Sequence, residues 1–110
     1  MMDESRRAVA DVIKAHEGRD RDGRHVIELT VRTSWLGLSV IGTPKPPPFG
    51  RAGEAFAREF LRVLGARRVD DLVGAPITVL MGTRADGRTA VVGVAGVGGQ
   101  LRFEDMVPRR

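Results

Sequence analysis

Cysteine is absent from the 110 residues, which excludes disulfides, thiolate metal sites, thiol nucleophiles and iron–sulfur ligation together. Tyrosine is absent too, and Trp35 is the sole tryptophan, so platforms for stacked bases are few. No stretch approaches the ~18 uninterrupted apolar residues of a membrane span, and no apolar stretch follows Met1-Met2-Asp3-Glu4. The expected location is the cytoplasm, with no membrane partner. Lysine is nearly missing. The 18 basic residues are arginines except for Lys14 and Lys45, and 14 acids leave a net charge of +4. The planar guanidinium fork suits phosphates and carboxylates and points to an anionic partner. A GC-rich coding sequence would produce the same arginine excess, and that alternative stays open.

What is present is enough for one hydrophobic core: 42% of residues are apolar and 29% charged, at a single-domain length. Residues 52–64 read as a helix, with Ala52, Phe56, Phe60, Val63 and Leu64 on one face and Glu54, Arg58, Glu59 and Arg62 opposite. Gly65 is its C-terminal cap. Thirteen residues are marginal alone, so the two phenylalanines must lie on a sheet. Four segments alternate with the two-residue period of strands: His25–Thr33, Trp35–Ile41, Pro76–Gly82 and Thr89–Ala95. In the second, Leu36, Leu38 and Val40 are expected on one face, with Trp35, Gly37, Ser39 and Ile41 on the other.

Asp22-Gly23 and Asp86-Gly87 are hairpin-tip signals, each before a β-branched run. The first tip requires a preceding strand, so Val9–Glu17 is read as strand although Val9, Val12, Ile13 and Ala15 also fit a helical stripe. The expected fold is α+β: a curved antiparallel sheet of four to five strands, order β-β-β-α-β-β, carrying one amphipathic helix, with partial barrel closure left open. The chain 1–110 is one domain, with loose termini at 1–7 and 104–110 and a proline-rich loop at 42–51.

From Phe60 the chain reads Phe-Leu-Arg-Val-Leu-Gly, then Val69-Asp-Asp-Leu-Val-Gly-Ala-Pro-Ile77. This string resembles a group of small, mostly uncharacterised bacteriophage proteins in which a helix ending Leu-Gly is followed by a turn, an acidic-Leu-x-Gly step and a β-hairpin. The resemblance extends over about residues 9–103 and departs at prolines 44–48. It implies an accessory phage protein, a setting of small inhibitors, nucleic-acid binders and nucleotide-sequestering proteins, in the host cytoplasm.

Catalytic and metal signals are missing. His16 and His25 are the only histidines, and each reads as a solvated strand residue. Ser5, Ser34 and Ser39 lack a nucleophile-elbow context. Asp70 or Asp71 reads as the cap of a short turn. Gly93–Gly99 has no phosphate-loop spacing and reads as a bend in the last strand. The expected function is a nonenzymatic protein that binds an anionic partner, a nucleotide or other phosphorylated small molecule, without cofactor or metal and as a homo-oligomer. Its candidate residues are Lys45 and Arg51 at the positive end of the helix, Arg102 after the glycine bend, and Trp35 for stacking or assembly. Two alternatives remain: an inhibitor covering a host enzyme through the Trp35 and Ile41 face, and single-stranded nucleic-acid binding.

Overall fold

A computed structural model describes residues 6–34, 36–44, 47–48 and 50–103. The elements are β1 (Arg6–Arg19), β2 (His25–Thr33), β3 (Gly37–Gly42), α1 (Arg51–Leu64), a 3-10 turn (Val69–Leu72), β4 (Pro76–Thr83), β5 (Thr89–Gly96) and β6 (Gly99–Arg102). One antiparallel sheet takes the order β3-β2-β1-β4-β5-β6, so the fold is α+β with six strands rather than four or five. The sixth arises because Val97 and Gly98 turn the chain back, where Gly93–Gly99 had been expected only to bend it. The sheet is open: among the described residues no ladder joins β3 to β5 or β6. No helix among them is long and apolar enough to cross a membrane.

The two halves are meanders of three strands, and their tips match. Asp20 N–H donates to Arg24 O and Gly23 N–H to Asp20 O, while Arg84 N–H donates to Arg88 O and Gly87 N–H to Arg84 O. Gly23 and Gly87 take φ of 80° and 85°, which a side chain would resist.

A bulge explains why β1 is hard to read. Val12 stands opposite Val31 and Lys14 opposite Thr30, so Ile13 is extra and the strand changes parity there. Before it Ala8, Ala10 and Val12 face the helix; after it Ala15, Glu17 and Arg19 do. A second bulge, at Val92 of β5, lets both Val91 and Val94 face inward against Met81 and Val79.

β3 inverts the expected faces. Leu36 N–H donates to the Thr33 hydroxyl oxygen at 3.0 Å, and the strand starts at Gly37 instead of residue 35. Ile41 is buried opposite Leu29, whereas Leu38 and Val40 are each 61% exposed on the helix-free face. A register shift of one residue exchanges every side chain between faces.

Helix α1 buries Phe56, Ala57, Phe60 and Val63 against Ile27, Leu29, Val79, Val94 and Leu101. The Phe56 and Phe60 rings stack with centroids 5.8 Å apart, and Phe103 meets them at 6.0 and 6.1 Å. Gly65 ends the helix at φ 72°, and Gly98 lies so close beyond it that a methyl there would collide with the Arg62 carbonyl. Phe60→Ala is expected to destabilise the fold by about 3–5 kcal/mol, and Val9→Ala, on the exposed face, by under ~0.5; urea unfolding followed by circular dichroism measures both.

Candidate functional site

Two arrangements on the concave side hold chemistry-bearing residues. The first is a clamp where the β1–β2 hairpin meets the start of α1. The Ile13 bulge turns Glu17 and Arg19 toward the helix, and the hairpin register sets His25 opposite Arg19. His25 Nδ1 lies 2.9 Å from Oε2 of Glu54, and Nε2 lies 2.8 Å from Oε2 of Glu17. Carboxylate oxygens only accept, so both contacts are hydrogen bonds when the ring donates from both nitrogens. Arg19 donates to Oε1 of Glu54 at 2.7 Å and to the Gly23 carbonyl at 3.0 Å. The His25 side chain is 15% exposed, not the solvated residue expected of it. Arg24 donates to the Pro47 carbonyl at 3.2 Å, drawing the proline-rich loop onto the same corner.

Both ring nitrogens of His25 are engaged, and the clamp joins helix to hairpin. Among the described residues no group of three His, Asp or Glu side chains is placed to hold a metal ion. The hydrogen bond from Arg19, then that from His25, keeps the Glu54 carboxyl below the usual glutamate range.

Of the four sequence-predicted site residues the structure describes Arg51 and Arg102. Arg51 is exposed at the first residue of α1, whose preceding Gly50 offers no side-chain cap. Glu54 already supplies a negative charge to that helix end, which opposes a bound anion. Arg102 follows the inward-facing Leu101 on β6, so alternation directs it to the face away from α1 and apart from Arg51. Lys45 and Trp35 lie outside the described residues. Ile41, expected on a contact face with Trp35, is buried.

The second arrangement is a groove between β3 and β5. Three strands separate them in the sheet, yet Val40 and Ile41 share a cleft of about 260 Å³ with Val91 and Phe103, so the sheet curves strongly. A neighbouring cleft of about 290 Å³ adds Leu36, Ser39, Arg84 and Thr89, and a third, of about 310 Å³, runs from Arg84 past Val91 to Phe103. Val91 lines all three, which makes them one groove. Its apolar lining is broken by the hydroxyls of Ser39, Thr43 and Thr89, by the positive charge of Arg84, and by the carboxylate of Glu28 in the first cleft. Sequence reasoning passed over Arg84 as a turn residue and had no account of Phe103. The signal available was the match between the two Asp-Gly tips, which identifies Arg84 as the start of a hairpin loop.

The Glu54 carboxyl is held lower in the folded protein than in the unfolded chain. Its contribution to stability is therefore complete above the unfolded value and fades as pH falls through the folded one. Urea midpoints taken downward from about pH 4.3 should drop less steeply for Glu54→Gln than for the wild-type protein.

No family model, curated protein or solved structure matches this chain.

Proposed function

We propose that this is a nonenzymatic binding protein that receives an anionic partner, a nucleotide or another phosphorylated small molecule, in the groove between β3 and β5. The observation carrying the reading is that Arg84, the one cation lining the groove among the described residues, lines two of its three clefts beside apolar side chains, the anion being placed in these two and away from Glu28, which lines the other. Concave, mostly apolar sites with a few placed polar groups are the usual form of small-molecule sites, and a guanidinium fork matches a phosphate in charge and geometry. Val91 and Phe103 supply a surface for a flat apolar moiety, and Ser39 and Thr89 supply hydroxyl donors. The reading moves the anion contact from the Lys45 and Arg51 entrance to Arg84.

The same proposal includes the setting that the sequence resemblance implies: a phage accessory protein that withholds a phosphorylated metabolite in the cytoplasm by binding it unaltered. Calorimetric titration with nucleoside mono-, di- and triphosphates and with pyrophosphate tests it. Binding of one of these should weaken on the order of tenfold in Arg84→Ala, the loss of one charge-assisted contact, and stay within twofold in Arg51→Ala. A ligand that binds equally well to Arg84→Ala, or no binding of any of these anions, overturns the assignment.

A further inference from the structure

We propose that the ligand of the groove is a guanine nucleotide, with the Glu28 carboxylate receiving the base at one end and Arg84 the phosphates at the other; this rests on the groove reading above. The two charges lie at opposite ends of one path. β3 runs from Ser39, which shares a cleft with Arg84, to Gly42, which with Thr43 shares one with Glu28. From Ser39 to Gly42 the strand advances roughly 10 Å, the scale on which a nucleotide separates its base from its phosphates. Between the ends stand Val40, Ile41, Val91 and Phe103, apolar side chains against which a flat ring can lie.

The Glu28 end accepts hydrogen bonds and does not offer them. Ionised carboxylate oxygens only accept. The Thr43 hydroxyl beside them is engaged, accepting from the Ile27 N–H at 2.8 Å and donating to the Ile27 carbonyl at 3.2 Å. Gly42 holds this end in place. It is the ladder partner of Glu28, and at φ 135° it packs so closely that a side chain there would collide with the Ile27 carbonyl oxygen. A carboxylate has about four acceptor sites on two oxygens, so Glu28 keeps its contact within the protein and still takes two donors from a ligand. Guanine sets a ring N–H and an amino group side by side on one edge, which matches the two oxygens as a bidentate pair. Adenine and cytosine place a ring acceptor next to the amino group, and uracil flanks its N–H with two carbonyls; a carboxylate repels all of these.

Calorimetric titration with guanosine, adenosine, cytidine and uridine diphosphates tests the proposal. The wild-type protein should bind the guanosine compound on the order of tenfold or more tighter than the other three. Inosine diphosphate, which lacks the 2-amino group, should lose most of that preference, a readout that needs no variant. Glu28→Gln keeps the side-chain shape but sets an amide donor against the guanine donors; it should abolish the preference and leave pyrophosphate binding within about twofold. Arg84→Ala should weaken all four diphosphates on the order of tenfold and preserve their ratios. Diphosphates that bind through Arg84 without favouring guanine overturn the guanine assignment and leave the groove reading standing, as does binding of pyrophosphate alone or a preference that survives Glu28→Gln. Failure of all these anions to bind, or binding indifferent to Arg84→Ala, overturns both.

Discussion

One helix is too narrow to cover the face it rests on. Six strands at about 4.8 Å spacing span roughly 24 Å, whereas a helix with its side chains is about 10 Å wide. The inward side chains β1 to β6 present must therefore be covered partly by α1 and partly by the sheet bending on itself. Phe56 and Phe60 are the point of contact: fully buried, one helical turn apart, they touch Phe103 at the far edge while lying over Ile27 and Leu29 on the other half. Curvature brings β3 toward β5, and the groove lined by Val91, Phe103 and Arg84 is the space that helix and bend leave between them.

The position of the helix along the sheet is set at its two ends by different physics. At the C-terminal end, backbone meets backbone: Gly98 N–H donates to the Val63 carbonyl at 3.1 Å, and the glycine lets the β5–β6 turn approach. At the N-terminal end, Gly50 leaves the helix uncapped by any side chain, and charge replaces the cap. Glu54 is held there by Arg19 and His25, both from the β1–β2 hairpin. Exposed ion pairs are worth little singly, but a network anchored on a mostly buried imidazole has less freedom to lose when it forms. The result is a helix anchored at both ends, beside a groove whose one lining arginine among the described residues, Arg84, starts a hairpin tip.

Helix α1 was legible because an amphipathic period needs only local residues, and Arg51–Leu64 departs from the expected 52–64 by a single residue. The strands around both Asp-Gly tips were legible for the same reason. β1 was harder, since the Ile13 bulge breaks the alternation that marks a strand. Which face of β3 turns inward was not legible, because it depends on how the strand registers with β2: Ile41, expected on a contact face with Trp35, is buried, and Leu38 and Val40 are exposed. The site was the least legible part. Arg84 and Phe103 carry no motif, and His25 looked solvated because its partners are eight and 29 residues away.

Composition and periodicity alone determined an arginine-rich, cysteine-free α+β chain with one amphipathic helix and antiparallel hairpins, because those features follow from neighbours a few residues apart. Only the tertiary structure decided which face each strand turns inward, which carboxylates meet His25 and which arginine lines the groove. These depend on bulges, loop closure and curvature, and such long-range geometry has no counterpart in local spacing.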